Sequence, residues 1–356
     1  MRPFAMSSLR TVVLLLLIGL VSPALAANEN HSVPQGVQRP LDIHLAVRIL
    51  NVLKIDETAG EAALVIEVEQ RWRDPSLVFD AIKAGGERQD FAGSDAATKL
   101  ASIWTPALVI ENQVNDPRLQ LEAVAIHADG GVVLTRRLEG SYRFSKDLSA
   151  FPFDRQRLPL SFVSQYFSAD DLVFINDDRD RQLSPMPGAL SASDWTASGL
   201  NFKTQQFYGW SAKPFARLTV ELDVARKWPR YFLRIFVPFI AVLSVSLFIL
   251  WAPTGLIGDK AGTTYSALLA LAALSFTFEA SFPGSMSVTS PIAFMISIGY
   301  FYLILALLID LFIESRGLPG RQHYPYLSAE VRKSVRTTLP ALFCIICICI
   351  TLRSLV

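Results

Sequence analysis

Residues 259–283, DKAGTTYSALLALAALSFTFEASFP, decide how the rest of the chain is to be read. The stretch is long enough to cross a bilayer as a helix, yet it is less apolar than the runs on either side. Gly262, Thr263, Thr264, Ser266, Ser275 and Thr277 interrupt it, Asp259 and Lys260 stand at its start, and Glu279 lies near its end. A helix surrounded by lipid has no use for such a pattern, whereas a helix with one face toward water or a bundle centre does. At steps of three and four, Gly262, Ser266, Leu269, Ala273, Phe276 or Thr277, and Ala280 share one face. That face suits an ion pathway closed by an apolar constriction at Leu269, which would gate by dewetting. Close packing of small residues against neighbouring helices would give the same spacing.

Working outward, three more apolar runs of membrane length follow or precede it, at about 231–252, 291–313 and 338–355, with the pore candidate itself at about 260–281. Pro238 should kink the first. The loop between the last two carries Arg316, Arg321, Arg332, Lys333 and Arg336 against few acids, as an inner loop should. At the other end, Arg2 and Arg10 precede the apolar core TVVLLLLIGLV, then Pro23 and the small-residue site Ala24-Leu25-Ala26. Residues 1–26 therefore read as a secretory signal cleaved after Ala26, with a retained anchor as the alternative. Either way the next segment is exported.

That segment, 27–228, holds no membrane-length run. HLAVRILNVLKI, AALVIEVEQRW, GGVVLTRRLEGSYRF, RLPLSFVSQYF, DLVFIND and ARLTVELDVAR are rich in β-branched and aromatic residues with period-two stretches. Turn signals at Glu57–Gly60, Asp129–Gly131 and Asn176–Asp178 separate them. About ten strands in about 200 residues predict an antiparallel β-sandwich, with room for a short helix near its start. The sequence thus divides into a leader, an all-β immunoglobulin-like exported domain and a four-helix membrane domain, 229–356.

Composition narrows the function. A formal net charge of +1 argues against nucleic-acid binding. The three cysteines, Cys344, Cys347 and Cys349, lie in the last apolar run, so no disulfide framework is expected outside the membrane. The histidines, His31, His44, His127 and His323, are scattered, and GxSxG and HExxH are absent, which argues against a membrane-tethered enzyme. Internal repeats and broken helices, the marks of a transporter, are absent too. No cofactor and no metal is expected. The acidic run Asn176–Asp180 could bind a divalent cation through hard oxygens, or be a solvated loop.

Phe151-Pro152-Phe153-Asp154 is the most specific short motif. With four spans after a β-sandwich, the chain resembles the pentameric ligand-gated ion channels, or Cys-loop receptors, from about residue 41 to its end. Trp72-Arg73-Asp74 resembles the family's W-x-D, Trp104-Thr105-Pro106 its W-x-P, and Gly258-Asp259-Lys260 the G-E-K that opens the pore helix of cation-selective members. Pro238 and Pro283 match prolines of the first span and of the linker after the pore helix. Phe144 and Leu158 stand where animal members carry the bridging cysteines, which resembles the prokaryotic type.

The resemblance implies a homopentamer in the inner membrane of a bacterium. Its outer domain would lie in the periplasm, its membrane domain would contact lipid, and five Asp259 side chains would ring the inner mouth and favour cations. Asp259 also suits a helix N-terminus on its own account. Lys260 turns away from the pore in the family's pattern. A gating layer is implied at Glu57, Thr58, Pro152, Phe153, Asp154, Arg226 and Pro283, with Arg226 alternatively snorkelling to headgroups. Candidate ligand residues are Trp72, Glu111, Tyr166, Phe167, Tyr208, Trp210 and Phe215, with Phe207 nearby; sandwich packing is the other reading of each aromatic. Glu111 would serve as a counter-charge for an amine. The effector is left as a small molecule, a proton or a divalent cation.

Overall fold

The computed structural model describes residues 32–209, 212–251, 259–286, 290–314 and 325–355. The leader and Trp210 lie outside them.

Ten strands form two facing sheets. β1 (Leu41–Asp56), β2 (Glu61–Arg73), β3 (Arg88–Ala92), β5 (Arg118–His127), β6 (Gly131–Arg143) and β8 (Leu172–Ile175) make a six-stranded sheet in the order β3-β5-β6-β2-β1-β8. β4 (Leu108–Ile110), β7 (Arg155–Ser164), β9 (Trp195–Tyr208) and β10 (Pro214–Arg226) make the second, in the order β4-β7-β10-β9. The expected antiparallel pairing holds except at one edge, where β8 lies parallel to β1. Period two does the work of folding: on β2 the alternate residues Ala62, Leu64, Ile66, Val68, Gln70 and Trp72 are buried, and on β10 so are Ala216, Leu218, Val220, Leu222, Val224 and Arg226. Each large aliphatic side chain so buried contributes about 1.5–3 kcal/mol. Among the described residues no helix precedes β1; short helices α1 (Ala81–Ala84), α2 (Ser94–Ser102) and α3 (Asp178–Gln182) sit in the loops instead. Phe144 and Leu158, at the positions matched to the bridging cysteines, are both buried. The loop they bound is clipped by Gln156, which donates to the Asp147 carbonyl at 2.7 Å and accepts from the Asp147 amide at 3.0 Å.

Four helices long and apolar enough to cross a membrane follow. α4 runs Pro229–Trp251, α5 Lys260–Ser281, α6 Pro291–Glu314 and α7 Pro325–Leu355. Pro229 opens α4, where a missing N–H costs nothing. Pro238 does not simply kink α4: the preceding turn, Phe232–Phe236, widens to a π-helix and absorbs the bond that proline cannot make. α7 begins well before the expected Thr338, because a charged segment around Glu330 and Lys333 continues the helix beyond the apolar stretch. Tyr302 of α6 stacks on Phe343 of α7 at 4.5 Å. α4, α5 and α6 share a core of Phe239, Leu243, Leu271, Ile296 and Leu303. Gly299 permits it: a Cβ there would press on Leu271, Leu243 and Phe239 at 3.3–3.4 Å.

Candidate functional site

α5 has two unlike faces. Thr264, Ala267, Leu271 and Phe278 are buried against the neighbouring helices. On the other side Ser266, Leu269, Ala273, Phe276, Thr277 and Ala280 are exposed, with Gly262 half-buried; Leu269 is 72% and Phe276 77% open. Phe276 and Thr277 both lie on this face. Asp259 caps the helix, accepting from the Gly262 amide at 2.7 Å, and is itself exposed. The hydroxyls of Thr263, Ser266 and Thr277 donate to carbonyls one turn back at 2.8–3.0 Å. Their donors are thereby used, and lone pairs are what the exposed face retains. Lys260 points the opposite way, to Asp310 of α6. Glu279 folds onto the linker after α5, accepting from the amides of Gly284 and Met286 at 3.0 and 3.2 Å.

Above the outer end of α5 the sandwich meets the bundle at Arg226. Its guanidinium grips Asp154 with two bonds, 2.6 and 3.0 Å, reaches Glu57 at 2.8 Å and donates to the Tyr231 hydroxyl at 3.0 Å. Trp195, Phe151, Tyr231 and Phe282 ring it at 4.2–5.8 Å. The Arg226 side chain is wholly enclosed, so it does not snorkel. Burial alone would lower its pKa, but the hydrogen bond and charge of Asp154, then Glu57, outweigh that and hold it above its ordinary value. The FPFD loop supplies more than its carboxylate. The Phe151–Pro152 bond is cis, Pro152 is buried, and Phe153 packs on Trp228 at 5.5 Å. Phe151 descends into the helical core, 4.7 Å from Phe282 and 5.9 Å from Tyr231. Thr58 is exposed at the tip of the adjoining turn, and Pro283 follows Phe282 half-buried. Sequence reasoning placed Glu57, Arg226, the FPFD loop with Phe151 and Asp154, and the linker that starts at Phe282 in this layer, but missed Trp195 and Tyr231, which close the cage.

Within one chain, the outer ligand candidates among the described residues do not assemble into one box. Trp72 and Phe167 are core residues, 4% and 3% exposed, and pack on either side of Trp104 at 6.0 and 5.2 Å. Of the two readings of each, their burial favours sandwich packing, as the period-two burial of β2 requires for Trp72. Phe215 is buried beside Phe207 at 5.9 Å. Glu111 is already paired: Arg217 reaches it at 2.7 Å and lies 4.1 Å over the Phe207 ring. An incoming amine would have to displace that guanidinium. Tyr166 and Tyr208 are exposed.

The acidic run starts a helix, with Asp177 and Asp178 exposed and Asp180 fully buried. Asp177 and Asp180 form a capping box on α3. The fully buried Asp180 carboxylate accepts from Arg71, from the Asp177 amide at 3.1 Å and bonds the His44 ring at 3.2 Å. The Asp177 carboxylate is also 3.2 Å from His44. Asp180 is therefore engaged in a network of protein partners, and a divalent cation would have to break it.

A two-sheet sandwich seated by a buried ion-pair cage on four membrane-length helices defines a receptor-type membrane protein with a lone half-polar helix. Residues 21–228 match the family described as neurotransmitter-gated ion-channel ligand binding domain, and the chain belongs to that family of pentameric ligand-gated channels, which are not enzymes. It is similar to a protein named "Proton-gated ion channel" of Gloeobacter violaceus, 20% identical over 92% of this chain and 88% of that relative. It is also similar to the rat glycine receptor subunit beta, 24% identical over 68% of this chain, and to the rat neuronal acetylcholine receptor subunit alpha-10, 27% identical over 70%. The aligned region spans about half the length of those two relatives, 49% and 54%. The protein is a membrane protein with an extracellular domain and four apolar helices.

Proposed function

We propose that five copies of this chain form a cation-selective channel in a bacterial inner membrane, opened by an effector acting on the periplasmic domain. The division of α5 carries the reading. Its apolar side is committed to the bundle of its own protomer, while the side bearing Asp259, Ser266, Leu269, Ala273 and Thr277 is left open. Facing a common axis, that side provides a carboxylate ring at the inner mouth, hydroxyl lone pairs above it and an apolar constriction at Leu269. The Arg226 cage is the coupling element: Glu57 and Asp154 belong to the outer domain, and Tyr231 and Phe282 belong to the ends of α4 and the pore helix.

Among effectors, protons have the most specific support. His44 sits between the Asp177 and Asp180 carboxylates and directly across the ladder from Arg71. Imidazole is the side chain that changes charge near neutrality. The His44 ring bridges β1 to both carboxylates of α3, and Arg71 of β2 reaches the same Asp180, so this one cluster ties α3 to β1 and β2. The name of the Gloeobacter relative agrees.

Single-channel recording from purified protein in a planar bilayer tests the reading, with the outer bath stepped from neutral to acid pH, then supplied with amines, then stripped of divalent ions. Unitary currents opened by acid, with Leu269→Ser easing opening and Asp259→Asn reducing the preference for potassium over chloride, are expected. Silence under every condition would make the chain a passive sensor.

A further inference from the structure

Asp259 and Lys260 are consecutive and opposite in charge, yet the structure sends them to opposite sides of α5. Asp259 is exposed at the cap. Lys260 runs inward on the side of Thr264, Ala267 and Leu271 and donates to both oxygens of Asp310 on α6, at 3.1 and 2.8 Å. The two side chains are 11% and 6% exposed. A lysine has a long flexible stem and a strongly hydrated head, and an ammonium buried without a counter-charge is costly. Without the Asp310 charge, the head would turn toward water, where the nearest anionic neighbour in sequence is Asp259 itself.

We infer that Asp310 is a selectivity determinant of the pore: by holding Lys260 against α6 it leaves the ring of Asp259 charges unopposed. This rests on the proposed role of Asp259. Asp310 touches no permeating ion; it is a positioning residue. Freeing five ammonium groups beside five carboxylates would cancel the charge of the mouth. At separations on the order of 10 Å, in a water-like dielectric and after screening over about one Debye length of 0.1 M salt, five unit charges change the potassium-to-chloride permeability ratio about tenfold.

The test is the reversal potential of the reconstituted full-length channel in a potassium chloride gradient. Asp310→Asn should lower the permeability ratio about tenfold. Asp310→Glu should stay near wild type. Lys260→Met/Asp310→Asn should recover the wild-type ratio, because no cation is left to release; a merely structural role for Asp310 predicts no such rescue. An unchanged ratio in Asp310→Asn, or a loss that persists in the double variant, would overturn the inference. If Asp310→Asn does not assemble, Lys260→Met decides: an unchanged ratio is expected, and a clear rise would mean that the lysine charge already reaches the mouth in the wild type. Asp259→Asn is run beside them. If that variant keeps the full cation preference, the carboxylate-ring reading fails, while the Asp310 comparison can still be read from its own variants.

Discussion

β10 carries two arginines that face opposite ways. Arg217 and Arg226 both hold a carboxylate and lie over aromatic rings, but one belongs to the outer face of the strand and the other to the core face. Arg226 is fully enclosed, its Asp154 partner is 1% exposed, and four rings surround it. Arg217 is 24% exposed, its Glu111 partner 44%, and one ring, Phe207, lies beneath it. The chemistry is the same and the surroundings differ. Water can replace either partner of the outer pair, so that pair can be exchanged for a ligand's charges. No water replaces the inner one, so the inner pair can only be kept or broken, which is what a coupling element between two domains requires.

The largest effect is therefore expected at Arg226. Arg226→Met leaves Asp154 and Glu57 facing each other in an apolar cage, and breaking a buried pair in this way costs about 3–5 kcal/mol. Loss of folded protein on heating, followed by size-exclusion chromatography, measures it. Arg226→Lys sharpens the point. It keeps the charge, but one ammonium cannot hold Asp154 with two bonds and reach Glu57 as well. We expect folded protein with reduced coupling, seen as a smaller fraction of open time at saturating effector. Full wild-type activity in the lysine variant would mean that charge alone suffices and the fork geometry does not matter.

At the outer end of the strand the expectation reverses. Arg217→Leu frees a carboxylate that water can solvate, so stability should change by no more than about 1 kcal/mol, the range of exposed pairs. The effector response can still change, because Glu111 then becomes available to a cationic ligand. Amine sensitivity absent from the wild type and present in Arg217→Leu is the expected signature in bilayer recordings. A stability loss as large as that of Arg226→Met would erase the contrast between the two arginines.

How much of this was legible beforehand follows from the range of each interaction. Apolar length and period two are local, so the four helices and the sandwich could be read directly. The two faces of α5 could be read for the same reason. Partners distant in sequence could not: nothing near Lys260 points to Asp310, and nothing near Arg226 points to Trp195. For Trp72 the sequence offered both a ligand role and sandwich packing, and its place on the alternation of β2, with Val68 and Ile66, is the local signal that favours packing. The acidic run had a usable signal that went unread. Asp177 and Asp180 stand three residues apart, the spacing of a capping box, and that would have replaced a solvated loop by a helix start.

The smallest effect is expected just outside the cage, at the turn that presents Glu57. Asp56 accepts from Lys54 at 2.7 Å and from the amides of Thr58 and Ala59 at 3.1 and 3.0 Å. The Lys54 hydrogen bond and then the Ala59 amide hold its carboxyl below the ordinary value of 3.8, with slight burial working the other way. The Asp56 hydrogen bond raises Lys54 above its ordinary 10.5. A depressed carboxyl contributes its full stabilisation above 3.8 and loses it only as pH falls through its lower folded value. A raised ammonium contributes fully below 10.5 and loses it only as pH rises through its higher folded value. Between those limits the turn is constant, so it cannot sense protons near neutrality. Asp56→Asn should leave the pH of half-activation unchanged, whereas His44→Gln should displace it or abolish the acid response. Open probability measured against pH decides, and a shift in Asp56→Asn equal to that in His44→Gln would move the proton sensor from the α3 cluster to the junction itself.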